Sequence, residues 1–370
     1  TLDFARKGGK GGTTSGNTFS IAPDGVNDPP TLSLSNSDPT FTEDGSSGGV
    51  VSSANVGVVE GSQQVNSLEL TVSNVADGSA EQLIVDGSSV ALTDTTTVIT
   101  ANNALSASVS VSGSTATVTI NGGVSESTAD TIINNLAYEH TGDDPSTAND
   151  RTITLTKLVD DGGTANGGSD TTTFSKSGSV SITSVNDAPT LSVSTSDPTF
   201  TEGGSAAEPF SSASTNVVES GQQVERLEFT VSNIADGNNE RLNVDGSSVA
   251  LADGTSVSTN NNGLTADVSV SGSTATVTVD GGPFSESTAN TIIDNLAYEN
   301  TNDAPTTDSG RTITITKLVD DGDTTSGGDD TTTLSDFGTV SLTAVNDAPS
   351  ITIGGDQTAN AETTDETVAD

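Results

Sequence analysis

The sequence predicts an all-β protein: tandem antiparallel β-sandwich modules of about 160 residues, each with one short helix. Three observations carry this reading. Residues 26–185 recur at 185–345 almost unchanged, so that Val26-Asn27-Asp28-Pro29-Pro30 returns as Val185-Asn186-Asp187-Ala188-Pro189 and again as Val345-Asn346-Asp347-Ala348-Pro349, at steps of 159 and 160 residues. Short runs alternate apolar with Ser or Thr, the period of a half-buried strand. Each run is closed by turn chemistry, as at Asp77-Gly78, Asp86-Gly87, Ser112-Gly113, Asn121-Gly122 and Asp161-Gly162.

The strands follow in order. After the Asn-Asp-x-Pro linker, alternation predicts strands at Thr31 to Ser35, Leu68 to Val72, Ser108 to Ser112, Ala116 to Ile120, Thr152 to Thr156 and Ser179 to Thr183. Ser125 to Tyr138 breaks the period. There Ile132, Ile133 and Leu136 fall at helical spacing after a cap-like Ser127-x-x-Asp130, predicting a short helix across one end of the sandwich, echoed at Ser285 to Tyr298. Tyr138 and Tyr298, the two tyrosines, are expected to be core rings with hydroxyls bonded to backbone. The domain plan is therefore 1–25 as terminal strands of a preceding or partner module, 26–185 and 186–345 as two sandwich repeats, and 346–370 as the opening strand of a following or partner module.

Charge narrows the partners. With 51 acidic against 10 basic residues the formal charge is −41, which excludes nucleic acid and anionic membrane surfaces and favours cations. No apolar run approaches the roughly 20 residues a bilayer needs, so no membrane insertion is expected. Absence of cysteine excludes disulfides, zinc-thiolate sites and thiol nucleophiles. The start lacks an initiator Met and a signal-like segment, which reads as a processed product or an excerpt of a longer chain.

Enzyme chemistry finds little support. His140 is the single histidine and the second repeat has Asn300 in its place, so a Ser-His-Asp arrangement would belong to one copy alone. Paired carboxylates abound by composition, yet aromatics are 3% where a sugar cleft wants aromatic platforms. Lys157 and Lys317, each beside Val-Asp-Asp-Gly, read as ion-pair partners; the sharper alternative is a Lys–Asn isopeptide cross-link.

Oxygen-rich residues recur at fixed phases: Asn27 and Asp28, Glu43, Asp160 and Asp161, then Asn186 and Asp187, Glu202, Asp320 and Asp321, and finally Asn346 and Asp347. Calcium takes six to eight oxygens from carboxylates, amide side chains and carbonyls. A linker Asn-Asp offers such oxygens where two domains meet, and the following Pro keeps the linker extended. The expected cofactor is calcium.

The Val-Asn-Asp-Ala-Pro junctions, the early Pro-Thr-Phe-Thr-Glu at 39–43 and 198–202, and the late Asp-Asp-Gly resemble the cadherin-like and immunoglobulin-like tandem repeats of giant bacterial surface proteins and adhesins. The resemblance spans residues 26–349. It implies an extracellular array stiffened at its junctions by calcium shared among the early Glu, the late Asp pair and the linker Asn-Asp. This chain lacks the cadherin Asp-x-Asn-Asp-Asn linker, and its module is longer than a cadherin repeat. The expected function is a non-enzymatic structural repeat protein of a bacterial surface, forming a rod or head-to-tail filament. The alternative is an adhesive module that recognises carbohydrate or a partner cell surface. Terminal segments that look like a hairpin without a body and an opening strand at Ser350-Ile-Thr-Ile353 further suggest homopolymerisation by strand complementation.

Overall fold

The computed structural model describes residues 25–348. The segments on which strand complementation rests, 1–24 and the strand from Ser350, lie outside the described residues. The described residues divide into two compact units, with the boundary between Ser184 and Val185. The first carries β1 (Thr31–Asn36), β2 (Thr40–Thr42), β3 (Gly48–Gly49), β4 (Val51–Gly57), β5 (Val65–Ser73), β6 (Glu81–Val85), β7 (Ser88–Ala91), β8 (Thr97–Ile99), β9 (Ser106–Ser112) and β10 (Thr115–Val124). After it come α1 (Glu126–Asn134), β11 (Ala137–His140), β12 (Arg151–Asp160) and β13 (Thr171–Thr183).

The second unit repeats the series as β14 (Thr190–Thr195), β15 (Thr199–Thr201), β16 (Phe210–Asn216), β17 (Val224–Ser232), β18 (Glu240–Val244), β19 (Ser247–Ala250), β20 (Ser256–Ser258), β21 (Thr265–Ser271) and β22 (Thr274–Asp280). It closes with α2 (Glu286–Asp294), β23 (Ala297–Asn300), β24 (Arg311–Asp320) and β25 (Thr331–Thr343). Among the described residues no sheet mixes strands from the two units.

Each unit is a β-sandwich. In the first, a seven-stranded sheet in the order β2-β13-β12-β5-β10-β9-β8 faces a four-stranded sheet, β3-β11-β6-β7, and the inward residues of both layers join one apolar core. Alternation supplies that core directly: on β5, Leu68, Leu70 and Val72 point in while the residues between them are half exposed. Val65 also points in, three residues from Leu68, because the ladder with β12 shifts register between Val159 and Asp160. Burial of each such Val or Leu contributes about 1.5–3 kcal/mol. The β6–β7 hairpin turns on Asp86-Gly87, both at positive φ (48° and 77°), the pairing a two-residue type I′ turn demands. One strand pair in each unit departs from the antiparallel expectation: β2 runs parallel to β13, Phe41 opposite Ile182, and β15 parallel to β25, Phe200 opposite Leu342.

The helix corrects the sequence reading at its cap. Its N-cap is Ser125, whose hydroxyl accepts from the Thr128 amide at 3.2 Å; Ser127 already lies inside the helix. As expected it covers one end of the sandwich, with Ala129, Ile132 and Ile133 over Val65, Leu105, Val124 and Leu158, and it runs along β4 as it does so. Asp130 accepts from the Val56 amide at 2.6 Å and Glu126 from that of Val58. In the second unit the ladder has three rungs: Glu286 to Val217 N (2.6 Å), Asn290 to Thr215 N (2.8 Å) and Asp294 to Ala213 N (2.8 Å). Four helical residues advance about 6 Å and two strand residues about 6.6 Å, so the rungs stay in register. The helix thereby satisfies backbone donors on an edge that otherwise invites another strand. Leu136 and Tyr138 leave the helix after Asn135, and Tyr138 enters β11.

Packing differs between the copies under the helix. In the first unit a small apolar void is lined by Val65, Leu68, Leu105, Ile120, Val124 and Ile133. The residue equivalent to Val124 is Phe284, buried at 7% exposure. Val124→Phe is therefore expected to stabilise the first unit by about 1 kcal/mol, as cavity filling commonly does. Urea denaturation would read the gain; a loss would show the void too narrow for the ring.

Candidate functional site

Three loops meet at the end of each module where the chain enters: the linker, the loop between β4 and β5 (or β16 and β17), and the turn between β12 and β13 (or β24 and β25). The linker asparagine is their keystone. Asn27, 8% exposed, donates its amide to Asp160 Oδ1 (3.0 Å) and the Ser169 carbonyl (2.7 Å), while its own carbonyl accepts from Ser169 N (2.9 Å). Asn186 repeats this with Asp320 Oδ1 (3.2 Å) and the Asp329 carbonyl (2.8 Å). The linker asparagine is thus built into the module that follows it. Glycine makes the close approach possible: a Cβ on Gly162 would fall 2.0 Å from Asn27 Oδ1, and one on Gly322 1.9 Å from Asn186 Oδ1.

The next residues bring in a second acid. Asp28 N donates to Glu60 Oε1 at 3.3 Å and Asp187 N to Glu219 Oε1 at 2.7 Å. Asp161 and Asp321 staple two of the loops, accepting from Gln64 N (2.8 Å) and Gln223 N (2.7 Å) while their own amides return the bond to the carbonyls of the same residues. Gln63 Nε2 reaches Asn27 Oδ1 at 2.6 Å.

What remains is a set of buried oxygens without hydrogen-bond partners. In the first module these are Asp160 Oδ2, Glu60 Oε2 and Gln63 Oε1; in the second, Asp320 Oδ2, Glu219 Oε2, Gln222 Oε1 and Asn186 Oδ1. Buried acceptors are normally paired, and each lone one costs about 1–3 kcal/mol. Two buried acids elsewhere in the fold show the ordinary arrangement. Buried Asp86 accepts from Thr100 Oγ1 (2.5 Å), Asn103 N (2.9 Å) and Asn103 Nδ2 (2.7 Å). Glu81 is held by Arg151 through Nε (2.9 Å) and Nη2 (3.0 Å) and by the amides of Ala76 (2.6 Å) and Asp77 (2.9 Å).

Electrostatics follow the same division. Burial pushes the Glu219 carboxyl above its ordinary range, and the neighbouring charges of Asp187 and Asp320 add to the shift. Asp320 is raised too, first by burial and then by Asp330 and Asp321, against the opposing bonds from Gly322 and Asn186. For Glu81 burial works in the same direction but is outweighed by Arg151 and the two amides, so its carboxyl sits below the usual range. Asp236 is lowered likewise: the bonds from Thr306 and Asn300 and the charge of Arg311 overcome burial. A carboxyl raised in the folded state destabilises it at neutral pH, and the cost fades as protons bind. A lowered one stabilises above its unfolded value, and that contribution is lost on acidification. In calcium-free buffer, stability of the second module is expected to rise as pH falls from 7 toward about 5, then to drop below about 4. Thermal melts across that window check it; a flat or falling curve between 7 and 5 contradicts the buried like-charge pair.

The sequence-predicted ligands separate into two groups. Asn27, Asp28, Asp160 and Asp161 come together at the entry end of the first module, as do Asn186, Asp187, Asp320 and Asp321 in the second. Glu43 and Glu202 do not join the Asp pair of their own modules. Glu43 N donates to the Thr183 carbonyl (3.0 Å) and Glu202 N to that of Thr343 (2.9 Å), at the exit end of β13 and β25. Ten residues of β12 or β24 span the sandwich between the two ends, roughly 33 Å. Glu202 Oε2 accepts from Val345 N at 2.7 Å and lines an open cleft with Glu299, Asp303 and Asp347, while Asn346 donates to the Asp347 carbonyl at 3.2 Å. Among the described residues no three His, Cys, Asp or Glu side chains are grouped to hold a metal ion; the hydrogen bonds of the entry-end cradle join carboxylates and amides.

Sequence reasoning passed over Glu60, Gln63, Glu219 and Gln222. The signal was present: Val59-Glu-Gly-Ser-Gln-Gln-Val65 and Val218-Glu-Ser-Gly-Gln-Gln-Val224 repeat in phase. Lys157 Nζ pairs with Glu69 at 3.0 Å and Lys317 with Glu228 at 3.2 Å, both partly exposed, in keeping with the ion-pair reading rather than a cross-link to Asn. His140 is buried beside Asp77 (3.3 Å), and its ring nitrogen Nδ1 meets the Gly142 backbone at 3.1 Å. Tyr138 and Tyr298 are fully buried core rings, packed edge-on against Phe41 (5.8 Å) and Phe200 (5.9 Å). Their hydroxyls lie toward the Glu81–Arg151 and Glu240–Arg311 pairs rather than toward backbone, and burial, followed by the glutamate charges, raises both phenols well above their usual range.

No family model matches the chain, and no curated protein matches it. Among solved structures it is similar to the titin domains Z1Z2 in complex with telethonin, at 10% identity over 87% of this chain and 100% of that one, TM-score 0.20. It is also similar to Drosophila N-cadherin EC1-3, at 8% identity over 86% of this chain and 69% of that one, TM-score 0.17. Likeness at this level carries nothing about function; the sandwich class rests on the sheets described above.

Proposed function

We propose that this chain is a non-enzymatic structural repeat protein of an extracellular bacterial surface, its β-sandwich modules stiffened by calcium into a rod or filament subunit. The observation that supports this is the linker asparagine buried against a late aspartate in both modules, Asn27 on Asp160 and Asn186 on Asp320. A divalent cation there neutralises acids that otherwise repel, in a chain of formal charge −41. Duplication of the loops along with the core favours a scaffold over a single recognition site. The exposed large hydrophobics among the described residues are Val26, Val59, Ile99, Phe337 and Val345, one aromatic among them, which offers no stacking platform for a sugar. Head-to-tail assembly through the chain ends belongs to the same reading; electron microscopy of the chain with residues 1–25 deleted tests it, and undiminished polymers refute it.

The calcium reading is tested by removing the ion. At a free concentration about 100 times Kd, a bound ion stabilises by about 2.7 kcal/mol per site. For a module of this size that is about 5–10 °C in Tm. Chelator is expected to lower the melting temperature by that amount and to broaden the solution-scattering profile. If neither changes, calcium has no structural part here.

A further inference from the structure

We propose that each module carries its own complete divalent-cation site of the calcium class, in which the loop before the long central strand supplies ligands: Glu60 and Gln63 in the first module, Glu219 and Gln222 in the second. The proposal rests on the calcium reading above and completes its ligand set. It no longer depends on Glu43 or Glu202, which occupy the far end of their own modules. It is assembled by the linker asparagine, the last residue of β12 or β24, and this loop, all within one module.

Three features support it. The unpartnered oxygens Asp160 Oδ2, Glu60 Oε2 and Gln63 Oε1 belong to residues tied to the linker, Asp160 and Gln63 through Asn27 and Glu60 through the Asp28 amide; Asp320 Oδ2, Glu219 Oε2 and Gln222 Oε1 recur in the second module, where Asn186 Oδ1 is left over as well. Asp160 and Asp320 are 2% exposed and Glu219 and Asn186 9%, so bulk water is a poor substitute partner. In each acid one oxygen is fixed by protein donors while the other is left over: Gly322 N and Asn186 Nδ2 hold Asp320 Oδ1, and Asp187 N holds Glu219 Oε1. Two carboxylates and the side-chain amides make a hard, all-oxygen donor set of charge −2, matched to calcium, with water completing a coordination of six to eight. Magnesium, which demands a tight octahedron, suits this mixed set less well.

The experiment is calorimetric titration of the intact chain with calcium chloride at physiological ionic strength, alongside the variants Glu60→Gln, Glu219→Gln and both together. Asp267→Asn, an exposed acid on β21, serves as the charge control. The wild type is expected to bind two equivalents, each single variant to lose one with at least tenfold weaker affinity at the altered site, and the double variant to lose both. A second readout separates ligation from folding: without calcium, Glu219→Gln melts at or above the wild-type temperature because like charges are relieved, yet it forfeits the second module's rise on adding calcium. If the wild type binds calcium and the Glu→Gln variants bind as well as it does, the site is elsewhere and this proposal falls while the calcium reading stands. If Asp267→Asn weakens binding as much, uptake is diffuse and the proposal also falls. If the wild type binds none, both fail.

Discussion

Arg311→Ala is expected to cost the second module about 3–5 kcal/mol, a large share of a typical domain's margin. The guanidinium is completely buried and grips Glu240, itself fully buried, through Nε (3.1 Å) and Nη2 (2.7 Å), while Nη1 donates to the Ser309 carbonyl at 2.6 Å. Asp236 stands 3.6 Å away. Deleting the cation strands a carboxylate beneath the Tyr298 hydroxyl, where burial makes a lone charge far costlier than the pair is valuable. Arg311→Met with Glu240→Gln is expected to recover most of the loss. The glutamine oxygen still accepts from the amides of Ala235 (2.7 Å) and Asp236 (2.9 Å), and the one carboxylate left, Asp236, keeps its bonds from Thr306 and Asn300. Urea denaturation followed by circular dichroism distinguishes the two; a single-variant loss below about 1 kcal/mol would mean that water reaches the pair. Arg151→Ala should act alike in the first module, where Arg151 holds Glu81 in the same two-pronged way.

Gly322→Ala tests the entry-end cradle from the steric side. The added Cβ would sit 1.9 Å from Asn186 Oδ1 and 2.6 Å from its Nδ2, so the linker side chain has to leave its seat between Asp320 and Asp329. The expected cost is about 1–3 kcal/mol for the overpacked methyl, with more where Asp320 loses its amide donor. On the reading proposed here the second module also stops responding to calcium, while the first still does. Gly49→Ala, where a Cβ meets nothing within 4 Å, is the neutral control. Melting curves of the three proteins with and without calcium read both effects. An alanine at 322 that leaves the melting temperature unchanged would mean that the asparagine seat is dispensable.

Much of the fold was legible from the chain. Runs such as Leu68 to Val72 and Ala116 to Ile120 alternate strictly because one face meets core and the other water, and both are strands with the inward set as expected. Shorter elements escaped. The strand β6, Glu81–Val85, opens on a buried glutamate, which reads as a polar loop until its partner, seventy residues later, is seen to be Arg151. The helix was recognised by spacing, but its cap was placed two residues late, since three of the four residues Ser125 to Thr128 are hydroxylic and only the backbone decides which accepts from the first turn.

By itself the sequence determined the module length, the sandwich class, the strongly acidic charge, and the pairing of linker asparagine with late aspartate as a candidate site. Those properties are carried by local periodicity, composition and repeat phase, none of which needs distant residues to be brought together. Tertiary structure alone decided that the early glutamates lie at the opposite end of their modules, that Glu60 and Glu219 meet the linker amides at the entry end, and that the arginines belong to buried pairs. A carboxylate's role depends on which donors, thirty to more than a hundred positions away, the strands bring to it, and on how much water they exclude.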